Sequence, residues 1–408
     1  MNSRPIGRLE AARAATAACA AKAATAACAA VVSKGIAAML AALLLLVIAQ
    51  TSAWGAQPCP AVGAIRWDAW FGSGGVPGQA VEKSLGPAQW HLRLPVCSQV
   101  IGNNEVRIDC MTPQQMELES GQAKAAGLDY WAFVTYPEDN PMNAGLSAYL
   151  NIRNPNKIQF AVISEFEKWG DKEAYRPVMQ RYLRLMGDKS YQRTPDGRPI
   201  FFLAFITDGS LNYRFGNREG FKKVLTEFRQ GAVNAGLGNP YIVLLDASVE
   251  RAKSFIVDLG LDGVSAYAVA DNRVKSGTFE QLTKLTERFW ADAAASGLPV
   301  MPIVMSGWDR RPRVQNPVPW EKPPADPKQI ENYFAAPTPA ELEHHIAAAL
   351  RFAQTSKAPA AAPTVLIYAW NEFDEGGWIA PTLGDGTARL EALRRAVGTA
   401  CPTSGAAR

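Results

Sequence analysis

Tyr241-Ile-Val-Leu-Leu-Asp-Ala-Ser-Val-Glu-Arg-Ala-Lys-Ser-Phe-Ile-Val-Asp-Leu-Gly-Leu-Asp-Gly-Val-Ser-Ala-Tyr267 carries a whole structural repeat in one stretch. The apolar run Tyr241–Leu245 has the length and composition of a buried strand. Ser248 stands where a helix N-cap is wanted, and apolar residues then recur at helical spacing to Leu259. Gly260 follows at the position that favours a left-handed residue, and a second strand begins within a few residues. A strand, a helix and a strand joined this tightly predict a parallel pair with a right-handed crossover.

The same pattern extends in both directions. Strands are predicted at Val62–Trp67, Tyr130–Thr135, Ile158–Ile163, Ile200–Phe205, Tyr241–Leu245, Gly263–Tyr267, Val300–Met305 and Val365–Ala369. Helical periodicity covers Thr112–Ala126, Lys172–Leu185, Arg218–Ala235, Ser248–Leu259, Phe279–Ala295, Pro339–Ser356 and Thr387–Val397. Gly127, Gly236, Gly260 and Gly297 each close a helix just before a strand. The connections after the strands are longer and richer in Trp, Tyr, Asp and Glu. Eight alternations with that asymmetry predict an α/β fold, a (β/α)8 barrel of TIM type, with its site at the C-terminal ends of the strands. An open doubly wound sheet is the alternative. Gly72, Gly74, Gly75 and Gly78 after the first strand do not have dinucleotide-binding spacing, and no Walker A loop is present. The longest connection, Ser306 to about Thr338, is rich in proline and carries Trp308, Asp309, Arg310, Arg311, Arg313 and Trp320, which marks it as functional or mobile.

Residues 1–56 differ in kind. Scattered basic residues (Arg4, Arg8, Arg13, Lys22, Lys34) precede an apolar run, Ile36 to Ala49, and then small residues at Thr51, Ser52, Ala53 and Ala56. That order predicts a signal peptide over 1–56 and a single catalytic barrel over 57–408, secreted or periplasmic. An uncleaved signal anchor is the alternative, although the run is shorter than the ~20 residues a spanning helix needs. The leader holds five basic residues and one acidic residue (Glu10), so the chain's 42 basic and 38 acidic residues fall to 37 of each beyond it. Balanced charge gives nucleic acid no reason to bind, and no stable membrane insertion is expected once the leader is cleaved. A monomer is expected. Cys59, Cys97, Cys110 and Cys401 remain, an even number that in an exported chain predicts two disulfides with three connectivities open. Cys97 with Cys110 would close a short loop; Cys59 with Cys401 would tie the ends together.

Only three histidines are present, His91, His344 and His345, and the last two are read as surface residues of a helix. A Ser–His or Cys–His mechanism or a multi-histidine metal site has little to be built from, and neither metal nor cofactor is expected. Carboxylates are left for acid/base work. Glu372, Asp374 and Glu375 leave the eighth strand among aromatic and small neighbours, unlike a solvated charge run. If the segment turns helically, Glu372 and Glu375 face the same way at about 5–6 Å, near the separation found in retaining glycosidases. Crowded carboxylates also drive their pKa values apart, so that one is an acid while the other is ionised. At the other strand ends stand Trp67, Asp68, Trp70, Tyr136, Glu165, Glu167, Trp169, Tyr267, Trp308, Asp309, Trp370 and Asn371, and with Asp374 these are the expected substrate-binding residues. Flat aromatic faces pack on a pyranose while Asp, Glu and Asn bond its hydroxyls, so the expected partner is a carbohydrate.

Four segments carry a family resemblance. They are Ala126-Gly-Leu-Asp-Tyr-Trp-Ala-Phe133, Pro195-Asp-Gly-Arg-Pro-Ile-Phe201, Gly307-Trp-Asp-Arg-Arg-Pro-Arg313 and, most specific, Trp370-Asn-Glu-Phe-Asp-Glu-Gly376. With them the chain resembles the glycoside hydrolase family 99 endo-α-mannosidases and the related WbsX-like proteins of bacterial polysaccharide gene clusters. The resemblance implies that Glu375 is the general acid/base and Glu372 the base at the sugar 2-hydroxyl, with retention through a 1,2-anhydro sugar. Asp374 stands where the family has a histidine, and Ile65-Arg-Trp-Asp68 where it tends to show tyrosines. The expectation is a retaining glycoside hydrolase or transglycosylase on an extracytoplasmic glycan, α-mannoside-like by resemblance. The alternatives are a non-catalytic carbohydrate-binding barrel and a WbsX-like polysaccharide-biosynthesis protein.

Overall fold

Strand and helix alternate from the first described residues to the last. The structure, a computed structural model, describes residues 59–71, 75–321, 326–355 and 364–401. The chain divides into two units, Met1–Pro58 and Cys59–Arg408, and the second is described by itself. The expected leader, 1–56, lies outside the described residues.

The repeat runs β1 (Ala61–Arg66), α1 (Pro113–Ala125), β2 (Tyr130–Thr135), α2 (Ala144–Leu150), β3 (Gln159–Glu165), α3 (Tyr175–Met186), β4 (Ile200–Ala204) and α4 (Arg218–Asn234). It continues with β5 (Tyr241–Leu245), α5 (Val249–Leu259), β6 (Gly263–Ser265), α6 (Phe279–Ala295), β7 (Ile303–Met305), α7 (Pro339–Thr355), β8 (Thr364–Tyr368) and α8 (Ala388–Ala400). Among the described residues the eight strands form one sheet in the order β6-β5-β4-β3-β2-β1-β8-β7, every pair parallel. Val264 of β6 bridges in parallel to Val300, donating to the Pro299 carbonyl at 2.9 Å and accepting from Met301 N–H at 2.8 Å. That bridge joins the two sheet edges, and the fold is the expected (β/α)8 barrel.

Local chemistry accounts for the boundaries. Thr112, Asn217, Ser248 and Thr278 cap α1, α4, α5 and α6, each side chain accepting from a backbone N–H of the first turn. Gly127, Gly236, Gly260 and Gly297 all have positive φ, between 68° and 88°, as their C-terminal positions predict. β7 is shorter than the run Val300–Met305 because Pro302 has no N–H to give the ladder. β6 stops at Ser265, so Tyr267 has left the sheet. The segments between β1 and β2 hold elements that periodicity does not announce: a helix, Gly75–Leu85, and a hairpin, Ser98–Gly102 with Glu105–Ile108. Two more helices, Asp208–Phe215 and Arg311–Gln315, follow β4 and β7.

Cys59 is bonded to Cys401 and Cys97 to Cys110, one of the three open connectivities. His345 corrects the surface reading of the histidine pair. It is 1 % exposed, stacks on Trp290 at 5.4 Å between ring centroids, and accepts the Met305 N–H at Nε2. Burial lowers its pKa, so the neutral ring serves as packing between α6, α7 and β7. No helix among the described residues is long and apolar enough to cross a membrane.

Candidate active site

Past Tyr368 the chain forms a small antiparallel pair, Asn371 against Trp378 and Glu372 against Gly377, closed by a 3-10 turn over Phe373–Glu375. The expected helical turn is therefore a hairpin, and it still sends Glu372 and Glu375 into the same cavity. Gly376 completes the turn at φ 84°, and its backbone lies against that of Gly307 and Asp309. A Cβ on Gly307 would sit 2.0 Å from the Gly376 carbonyl oxygen, and one on Gly376 would sit 2.4 Å from the Asp309 nitrogen. Side chains are excluded at both positions. This backbone contact, with the Asp309 N–H donating to the Glu375 carbonyl at 2.6 Å, fixes the loop after β7 to the acidic hairpin.

That loop delivers the cation of the site. Arg313, on the helix Arg311–Gln315, is 4 % exposed and reaches all three acids of the hairpin. It donates to Glu375 and lies 2.8 Å from Asp374 and 3.5 Å from Glu372. Arg310 approaches Glu375 at 3.2 Å, and Glu321 pairs with both arginines. The Tyr368 hydroxyl also donates to Glu375, while the Tyr267 hydroxyl donates to Glu372 at 2.8 Å. Asp374 is fully buried and accepts from Ser84 of the helix Gly75–Leu85 at 2.9 Å.

These surroundings split the pair. Burial, then the charge of Glu375, pushes Glu372 up to about 8 against the opposing pull of Arg313. Burial alone would raise Glu375 as well, but Arg313, Arg310 and the Tyr368 hydroxyl outweigh it and hold that carboxyl below its ordinary value. Burial alone would lower Arg313; its three carboxylates reverse this and keep it charged. The two directions are opposite: this environment favours the protonated form of Glu372 and the ionised form of Glu375.

The cavity measures about 940 Å³ and opens at the C-terminal ends of the strands. Of the expected residues, Trp67, Tyr136, Glu165, Glu167, Tyr267 and Trp308 line it with the two glutamates. Trp67 is held by its indole N–H donating to the Tyr136 hydroxyl at 2.6 Å and by an edge contact with Trp320 at 5.4 Å. Trp308 donates to Asn272 at 2.9 Å.

Seven expected residues do not line the cavity. Asp68 is buried beneath it, paired with Arg66, which also binds Glu119. Trp70 packs edge-on to Phe373, and Trp370 edge-on to Trp131. Trp169 is fully buried among Tyr182, Phe201, Phe221 and Phe228. Asp309 is clamped by Arg93 and Arg311, and Asp374 by Ser84 and Arg313. Asn371 grips the Trp67 peptide at both ends, accepting its N–H and donating to its C=O, each at 2.9 Å. Asn371→Ala is expected to destabilise the fold by about 1–3 kcal/mol, because two buried backbone groups lose their partner. Urea unfolding measures this, and an unchanged midpoint would refute the clamp.

Phe205, Asp246, Asn272 and Glu321 line the cavity unforeseen, as do Arg310, Arg313 and Trp320, which were noted on the long loop but given no place in the site. The arginine run after β7 was the one visible signal, three guanidinium groups in four residues on a loop already marked as functional or mobile. No group of three His, Cys, Asp or Glu side chains able to hold a metal occurs among the described residues.

No protein-family model matches the chain, and no curated protein matches it. Among solved structures it is similar to the GH99 endo-alpha-mannosidase from Bacteroides thetaiotaomicron, with 16 % identity, a TM-score of 0.46, and coverage of 71 % of this chain and 79 % of that one. The same enzyme in complex with bis-tris-propane matches at 14 % identity and a TM-score of 0.49, covering 83 % and 97 %. A Bacteroides ovatus GH5 xyloglucanase in complex with a XXXG heptasaccharide matches at 13 % identity and a TM-score of 0.38, covering 79 % and 76 %.

Proposed function

We propose that this protein is a glycoside hydrolase acting with retention on a glycan outside the cytoplasm, with Glu372 and Glu375 as its acid/base pair. The observation that carries the reading is the pair itself. Two buried carboxyls, one driven up to about 8 and the other down, face a single aromatic-lined cavity at the strand mouths. Acid/base cleavage of a glycosidic bond needs one protonated and one ionised carboxyl at once, and this pocket supplies that state over neutral pH. Trp67, Trp308 and Trp320 offer apolar faces for sugar rings, and Glu165, Glu167 and Asn272 offer partners for hydroxyls. Two disulfides support an oxidising compartment, in keeping with a signal peptide over 1–56 and a single catalytic domain beyond it.

The motif resemblance assigns proton donation to Glu375 and deprotonation of the sugar 2-hydroxyl to Glu372, which makes the substrate α-mannoside-like. The surroundings of the pair favour protonation of the other member, Glu372. The assigned roles therefore require a proton to pass from Glu372 to Glu375 before the leaving oxygen is protonated. The same saturation of Glu375 by Arg310, Arg313 and Tyr368 favours a second reading, a barrel that binds glycans without cutting them. A glycan array screened with Glu375→Gln, followed by product analysis with the unaltered protein, tests the proposal. Cleavage of the glycans that the variant captures is the expected result. Capture without cleavage over long incubation supports the binder, and no capture at all overturns both.

A further inference from the structure

Phe205 stands at the end of β4 with φ at 60°, a left-handed backbone that residues other than Gly, Asn and Asp rarely adopt and that is a true outlier for a bulky side chain. It is also 52 % exposed, an unusual state for a phenylalanine beside a barrel core, and its ring lines the cavity. The backbone must turn here to enter the helix Asp208–Phe215, which Thr207 caps. Glycine or asparagine would make that turn without strain and without a wetted aromatic face. Strain kept together with exposure at one residue points to the ring as the feature being presented.

Its surroundings say what the ring would meet. The register sets Ala204 opposite Glu165 on one side and Leu245 on the other, so Phe205 leaves the sheet one position beyond the level of Glu165 and level with Asp246, and all three line the cavity. Lys168 lies 3.8 Å from Glu165, and Arg251 holds both oxygens of Asp246 at 2.6 Å. An aromatic face between two carboxylates, each beside a cation, offers one stacking surface and several hydroxyl partners. In the closed sheet order β4 lies four strands from β8 in either direction, so Phe205 faces the acid pair across the mouth. Tyr267 links the two, with its ring 5.4 Å from that of Phe205 and its hydroxyl on Glu372.

We infer that Phe205, with Glu165 and Asp246, forms a second sugar-binding subsite, so that the substrate is a chain of at least two sugar units spanning the barrel mouth. This rests on the glycosidase reading of the same cavity and extends it to substrate length. The test uses Glu375→Gln with and without Phe205→Asn on an array of mannose-, glucose- and galactose-based glycans, from single sugars to longer chains. Asparagine accepts the left-handed backbone, so the melting temperature should hold or rise. The expected result is that Glu375→Gln prefers longer chains over the single unit. Phe205→Asn should cut that preference on the order of tenfold, the scale of one lost aromatic contact. Phe205→Tyr should restore it. An unchanged preference in Phe205→Asn overturns the subsite while leaving the glycosidase reading intact. Failure of the parent variant to bind glycans of any length overturns both.

Discussion

Glu375→Gln is expected to lower turnover of unactivated glycans by about 10²–10⁴-fold, the usual contribution of a positioned proton donor, while leaving glycan binding close to that of the unaltered protein. The amide keeps the shape of the carboxyl and can still face Arg313 and Tyr368, so the fold around it should persist. The informative comparison is the leaving group. A 4-nitrophenyl glycoside departs without protonation, so the variant of the proton donor should cleave it far better, relative to the unaltered protein, than it cleaves an alkyl-linked glycan. The variant of the other glutamate should lose both. If Glu372→Gln is the variant that spares the nitrophenyl substrate, the donor is Glu372, the carboxyl whose surroundings favour the protonated form. Turnover at the unaltered rate by either variant would remove that residue from the chemistry.

Arg313→Met is expected to be the most disruptive single change at the site. Arg313 compensates Glu372, Asp374 and Glu375 from a position that is itself buried, and removing one partner of a buried ion pair costs about 3–5 kcal/mol. Uptake of a proton by the acids it leaves behind would offset part of that loss. The pair should work while it holds one proton, from the depressed value of Glu375 up to about 8, where Glu372 loses its own. Without Arg313 the ionised form of both glutamates is less favoured, so both limbs of the kcat/KM profile should move to higher pH. Stability at acid pH should respond in the same sense. The stabilisation that Glu375 draws from Arg313, Arg310 and Tyr368 is present above its unfolded value and lost as pH falls through its lower folded one, and the variant should show less of that acid-side loss. A rate profile at the same pH in both proteins would contradict the assigned role of Arg313.

The barrel was legible because its signals are local. Each of Gly127, Gly236, Gly260 and Gly297 marks a helix end by backbone conformation alone, and an apolar run of strand length follows at once. The helix Gly75–Leu85 was not legible because Gly75, Pro77 and Gly78 are poor helix formers, and it stands by tertiary contact, with Val81, Ser84 and Leu85 buried. The site was legible only in part. Nearness to a strand end tells which residues leave the sheet at the mouth, not which way they turn once they have left. Tyr267 turned toward the acids, whereas Trp169 turned under the 3-10 turn Phe166–Trp169 into the layer between sheet and helices. Asp309 and Asp374 attracted arginines instead of facing the cavity. Arg313 meets Glu375 across 62 residues of sequence, a contact set by how one long loop folds back, which no local pattern encodes.

The bond between Cys59 and Cys401 spans 342 positions, nearly the whole described unit. It joins a residue two positions before β1 to the one just after α8, so the covalent path becomes a ring around a barrel that is itself a ring. A polypeptide so circularised cannot unravel from a loose end, and its expanded ensemble is restricted by on the order of 5 kcal/mol in the chain-entropy picture. A single protease cut in any surface connection between those cysteines would leave both pieces tethered, and the cut would escape detection by size until a reductant released them.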